Sequence, residues 1–104
     1  LAPHIEIPYI APGNFSAYAQ YTVQVDDREK IQQSLTEQGV PTAVHYPLPL
    51  HLQPLFIDEY PHATHLKQAE IAANRVLSLP FHPYLTESDQ EIIVNALAGA
   101  LQYV

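Results

Sequence analysis

The sequence predicts a small α+β domain, a three-stranded and mainly antiparallel sheet covered on one face by helices. Three observations carry that prediction. Ala19, Tyr21, Val23 and Val25 alternate with Gln20, Thr22 and Gln24, the two-residue period of a half-buried strand. Ile92, Ile93, Ala96, Leu97, Ala100 and Leu101 recur at the spacing of an amphipathic helix. Between them, Val76 to Leu79 is a short apolar run closed by Pro80, which suits a buried strand. Short strands do not stand in water unless one face is covered, so the helices are expected to pack over the sheet.

The elements follow in order. Residues 1–15 hold Pro3, Pro8, Pro12 and Gly13, too many breakers for a helix, and are expected to form an extended lead-in. Residues 16–104 form the domain proper, opening with the strand at Ala19–Val25. Asp26 and Asp27 stand where a carboxylate can accept the unpaired N–H groups of a helix start. Ile31 and Leu35 then share one helical face, and Gly39 ends the helix. Pro41 to Tyr46 is expected as a second strand. Pro47, Pro49 and Pro54 exclude a central strand beyond it, so a turn and a short helix around His51–Phe56 are expected. Leu66, Ala69, Ala73 and Val76 have helical spacing, and Val76–Leu79 is the third strand. Thr86 with Asp89 three residues later forms a capping-box pattern before the last helix. The sheet's second face is left for something outside the domain to bury.

Composition narrows the function classes. At 104 residues the chain has room for one domain, and 47% hydrophobic content is enough to build a core. Eleven acids against four bases give a formal charge of −7 with no basic cluster, which argues against nucleic acid and anionic membranes as partners. No apolar run approaches the roughly 20 residues that span a bilayer. No charged-then-apolar signal peptide is present, so a cytoplasmic setting is expected. Cysteine is absent, which removes disulfides and thiolate chemistry. The chain opens Leu1-Ala2-Pro3 and contains no Met, so it is expected to be a piece of a longer polypeptide.

Few residues carry a signal for chemistry. The histidines invite a metal hypothesis, with His62 and His65 three apart and His45 and His51 flanking the proline-rich turn. Zinc needs three or four converging ligands, and no His-Glu-x-x-His motif is present, so no metal site is expected. No nucleophile elbow and no phosphate-cradling glycine loop occur. The two lysines, Lys30 and Lys67, sit in polar helical stretches, where nothing would desolvate them as a Schiff-base lysine requires. No catalytic and no cofactor-binding residue is therefore assigned. What stands out is His45-Tyr46-Pro47, which sets an imidazole and a phenol at the end of a strand. Pro47 biases Tyr46 toward an extended conformation and holds both side chains. Such an edge suits binding of a phosphate or sugar hydroxyl, although an exposed His45 and a core-capping Tyr46 would give the same pattern.

The segment Gly39-Val40-Pro41-Thr42-Ala43-Val44-His45-Tyr46-Pro47-Leu48-Pro49-Leu50-His51 resembles the C-terminal signature of the DegT/DnrJ/EryC1/StrS aminotransferases. Tyr18 to Val23 is similar to the family's first C-domain strand, and Asp26 to Gly39 to the helix that follows. Glu70-Ile71-Ala72 and Val76-Leu77-Ser78-Leu79-Pro80-Phe81-His82-Pro83 resemble its late helix and strand, and Leu85 to Asp89 its ending. The likeness runs in order over residues 16–104. It implies the small C-terminal domain of a homodimeric fold type I enzyme that uses pyridoxal phosphate (PLP). The implied reaction is glutamate-dependent amination of a keto-sugar nucleotide, with UDP as the implied carrier. By the same resemblance His45 and Tyr46 are substrate contacts. Gln20-Tyr21-Thr22 replaces the His-Leu-Tyr triplet of many members, as in the branch that acts on acetamido sugars and their uronic acids for surface polysaccharides.

The family's PLP lysine, its pyridine-nitrogen aspartate and its phosphate-binding residues all belong to the large domain and have no counterpart here. The resemblance therefore implies that PLP belongs to the parent enzyme and that this chain alone is inactive. A competing reading is an independent, non-catalytic module that pairs with itself through an exposed sheet face. The lead-in separates the two, since an independent module should order it against its own core. A domain taken from its parent should leave it loose or swapped, and should self-associate through exposed apolar surface.

Overall fold

The computed structural model describes residues 5–59 and 66–102. Its elements are β1 (Tyr21–Gln24), α1 (Arg28–Glu37), a 3-10 turn (Leu50–Leu52), α2 (Pro54–Ile57), α3 (Lys67–Arg75), β2 (Val76–Leu79) and α4 (Glu87–Gln102). The fold is α+β with a small antiparallel sheet and several helices, as the sequence predicts.

β1 and β2 pair with Tyr21 opposite Leu79 and Val23 opposite Leu77. Single bridges extend the sheet on both sides, Glu6 on Gln24 and Ala43 on Ser78. The second strand expected over Pro41–Tyr46 is thus reduced to one residue pair, Ala43 exchanging 3.1 and 2.8 Å hydrogen bonds with Ser78. Pro41 and Pro47 have no N–H for a ladder, and Tyr46 departs from the strand at φ +59°.

The two faces of the sheet have different neighbours. Val23, Val25 and Leu77 are fully buried and join Ile31 and Leu35 of α1 and Leu97 and Ala100 of α4 in one core. Burying each Leu or Ile of that set stabilises the fold by about 1.5–3 kcal/mol. Ile93 and Leu101 pack on its edge, whereas Ile92 is exposed. Thr22 and Ser78 are cross-strand partners on the opposite face, their hydroxyls 2.8 Å apart. Alternation along a strand sends neighbouring residues to opposite sides, so one register places both sets.

The helix ends explain why the elements stop where they do. Gly39 at φ +78° lets its N–H reach the Thr36 carbonyl and the Val40 N–H reach the Leu35 carbonyl, at 3.0 and 2.9 Å. That is a Schellman stop, with Val40 and Leu35 both in the core. At the other end Asp27 is the cap residue, but it is left-handed (φ +51°) and its carboxylate makes no cap hydrogen bond. Its carbonyl accepts from Lys30 and Ile31 instead, while the Asp26 carboxylate turns to Arg75 at 3.2 Å. The Thr86–Asp89 box closes reciprocally, the Asp89 N–H donating to the Thr86 hydroxyl and the Thr86 N–H to the Asp89 carboxylate, at 3.1 and 3.2 Å.

Two arginines fasten the periphery. The Arg28 guanidinium donates to the carbonyls of Ala73 and Val76, which are left open where α3 runs into β2. Arg75 donates to Glu6 at 3.0 Å as well as to Asp26, and the Glu6 hydrogen bond raises its pKa further above the ordinary value. Glu6 is held to β1, and Ile5 is buried in the core. Residues 5 and 6 of the lead-in therefore pack on this chain's own sheet.

Candidate functional site

A cavity of about 650 Å3 opens on the sheet face away from the core. That volume lies within the range of small-molecule sites. Thr22 of β1, Val76 of β2 and the approach residue Gln20 line its sheet side. Ala69, Ala72 and Ala73 of α3 line a second side, with Leu66 just before the helix. The segment from His45 to His51 lines the third, and Phe56 of α2 also contributes.

His45 and Tyr46 therefore stand together on one wall, both exposed. Val44 packs against the core cluster and Ala43 is bridged to β2, so the backbone is anchored immediately before them. Tyr46 corrects one expectation. It is not extended but left-handed, although it precedes Pro47. Such a conformation costs a bulky residue about 1–3 kcal/mol and persists only where surrounding structure holds it. With 79% of its surface exposed, Tyr46 gains little packing in return. Its phenol projects where a ligand could meet it.

The other histidines separate by environment. His51, in the 3-10 turn, is buried, and its Nε2 faces Glu70 Oε2 across 3.8 Å without a hydrogen bond. His82 is exposed, and its Nδ1 accepts from the Tyr84 N–H at 3.2 Å. His62 and His65 lie outside the described residues. Among the described residues no three His, Asp or Glu side chains converge on a point.

Sequence reasoning missed several lining residues. Gln20 and Thr22 are the off-core positions of the first strand, and its alternation already marked them. The α3 alanines carry no such mark, because small residues on a helix read as core. Tyr18, Tyr21 and Phe81 form a ring cluster with centroids 5.3 to 6.1 Å apart. It borders a second cavity of about 280 Å3, which shares Gln20 and His45 with the first.

The chemistry available is recognition. An imidazole and a phenol beside a largely apolar hollow can hydrogen-bond a polar ligand while its carbon skeleton rests on the alanines. The residues present do not fit PLP. Lys30 and Lys67 are exposed on α1 and α3, neither lines the cavity, and a lysine that forms a Schiff base is desolvated or set beside another cation. Among the described residues no helix is long and apolar enough to cross a membrane.

Comparison with known proteins finds similar chains among aminotransferases. UDP-2-acetamido-2-deoxy-3-oxo-D-glucuronate aminotransferase of Pseudomonas aeruginosa is 50% identical over 95 residues, 91% of this chain but 26% of that protein. The solved structure of S. venezuelae DesV, in complex with a ketimine intermediate, superposes with a TM-score of 0.89 at 32% identity, over 98% of this chain and 28% of that one. NtdA from Bacillus subtilis, solved with bound cofactor PMP, gives 0.80 at 30% identity, over 97% and 24%. The chain thus spans about a quarter of the length of these relatives. The model of the DegT/DnrJ/EryC1/StrS aminotransferase family matches residues 3–98, and the chain belongs to that family.

Proposed function

We propose that this chain is the C-terminal small domain of a PLP-dependent, glutamate-using aminotransferase that aminates a UDP-linked keto-sugar. It would act in the cytoplasm, within a homodimer, in surface polysaccharide synthesis. The observation that carries the reading is the pairing of His45 and Tyr46 on one cavity wall, in a chain half identical to an aminotransferase of a UDP-linked acetamido-uronate. In this reading the large domain supplies PLP and its lysine, and the 104-residue chain alone does not turn over substrate. The role of this domain is to close over the sugar nucleotide, with the His45 imidazole and the Tyr46 hydroxyl as hydrogen-bonding contacts.

The competing module reading draws on the packing of Ile5 and Glu6 against this chain's own core. The DesV superposition covers 98% of the chain and so takes in the lead-in, which makes that packing equally compatible with an aminotransferase. Exposed Tyr9, Phe15, Leu55 and Tyr84 favour self-association of the chain when it stands alone.

Calorimetric titration of the whole gene product with UDP-N-acetylglucosamine tests the reading. His45→Ala and Tyr46→Phe should each weaken binding about tenfold, the worth of one hydrogen bond to a polar ligand. Full affinity in both variants, or PLP binding by the 104-residue chain by itself, would overturn it.

A further inference from the structure

His51 and Ser78 are the buried polar residues among those described. Ser78 is satisfied by the Thr22 hydroxyl and by its bridge to Ala43. His51 is not: its Nε2 is closed off from solvent and has no hydrogen-bond partner. A ligand oxygen is no smaller than a water, so it cannot reach the closed-off Nε2, although other atoms of His51 line the cavity. What does face Nε2 is Glu70 Oε2 at 3.8 Å, about 1 Å beyond a charge-assisted hydrogen bond.

The two partners belong to different walls. His51 ends the proline-stiffened segment that begins at His45 and Tyr46. Glu70 lies on α3 beside Ala69 and one turn before Ala73, both of which line the opposite side. Closing the gap by about 1 Å would satisfy the orphaned nitrogen and bring the two walls together.

We propose that His51 and Glu70 are a positioning pair, a clasp between α3 and the His45–Tyr46 wall whose hydrogen bond forms as the ligand is gripped. This rests on the sugar-nucleotide reading of the cavity. Glu70 is an acceptor when ionised, so it selects the His51 form that carries a proton on Nε2. A ligand seated between His45, Tyr46 and the alanines draws the walls inward, and the clasp favours that same closed form. Its contribution is therefore expressed in ligand affinity, beyond any effect on folding.

The test is a double-mutant cycle in the whole gene product, with UDP-N-acetylglucosamine affinity as the readout and thermal melting alongside. Glu70 has a side chain 35% exposed, so its variants should fold. Glu70→Ala should bind roughly fivefold more weakly, a coupling typical of contacting residues. Glu70→Gln keeps an acceptor oxygen and should restore most of the affinity. His51→Leu should match Glu70→Ala, and the double variant should be no weaker than the weaker single one. Wild-type affinity in Glu70→Ala, or losses that multiply in the double variant, would overturn the clasp. His45→Ala, run in parallel, separates the two ideas. If it weakens binding while Glu70→Ala does not, only the clasp fails; if it binds normally, the site reading fails and the clasp with it.

Discussion

Gly39 and Gly99 should respond to alanine with opposite signs, although an added Cβ meets no atom within 4 Å at either position. With sterics absent, backbone conformation alone decides. Gly39 sits at φ +78°, where an L-residue pays about 1–2 kcal/mol. Alanine also restricts the unfolded chain, which returns about 0.4–1 kcal/mol. Gly39→Ala should therefore destabilise by about 1 kcal/mol. For a domain of this size that lowers the melting midpoint by about 4–8 °C. Gly99 lies within α4, where replacing glycine by alanine favours the helix by about 0.5–1 kcal/mol. Gly99→Ala should raise the midpoint by a few degrees. Differential scanning calorimetry reads both, and a Gly39→Asn variant should fall between wild type and Gly39→Ala, because Asn tolerates the left-handed region. Two shifts of the same sign would refute the reasoning, because it would mean that something other than φ sets the cost at one of the two sites.

Two further outcomes follow from the caps and the strained tyrosine. The Thr86 backbone and side-chain hydrogen bonds hold the Asp89 carboxyl below its usual pKa, so their stabilisation is present above the unfolded-state value and is lost as pH falls through the folded one. Thr86→Ala should cost about 1 kcal/mol as a lost helix cap. Because alanine keeps the backbone N–H, the larger influence, the Asp89 pKa followed by NMR titration should rise only part of the way toward normal; an unmoved pKa would contradict a role for the hydroxyl. Tyr46→Gly should leave the melting midpoint unchanged or slightly higher, because relief of the left-handed strain, about 1–2 kcal/mol, at least offsets the added chain entropy. The same variant should bind UDP-N-acetylglucosamine at least tenfold more weakly, and a large fall in melting temperature would show that the ring is packed after all.

The parts legible in the sequence are those fixed by local chemistry. Val76–Leu79 is the observed β2, bounded by Pro80 as its composition requires, and the helix stop at Gly39 and the helix start at Thr86 depend on residues only a few positions apart. The parts that escaped depend on distance or on competition. Asp27 was available as a side-chain cap, but left-handed backbone and the pull of Arg75 on its neighbour Asp26 gave the helix a different start. The second strand has the right residue types but only one position, Ala43, whose N–H and carbonyl both meet a partner. His45 and Tyr46 were visible as an element end, whereas the left-handed turn at Tyr46 runs against the preference imposed by Pro47. Nothing local joins His51 to Glu70, which are brought together only when α3 folds back toward the proline-rich segment.

Site and core share the same eight strand residues. Val23 and Leu77 point into the core, while Thr22 and Val76 face the cavity from the intervening positions. A register slip of one residue would exchange these sets, exposing the valine and leucine and burying the threonine. The core therefore enforces the register, and the register sets the floor of the site at no separate cost in specification. The third wall is held differently. It hangs from the Ala43 bridge at one end and from His51 at the other, with prolines between them. Those two anchors differ in kind, since the bridge has both hydrogen bonds made while His51 is left one bond short. Movement of this wall should therefore concentrate at the His51 end, where a bond remains to be gained, and His45 and Tyr46, nearer the satisfied anchor, should shift least as it closes.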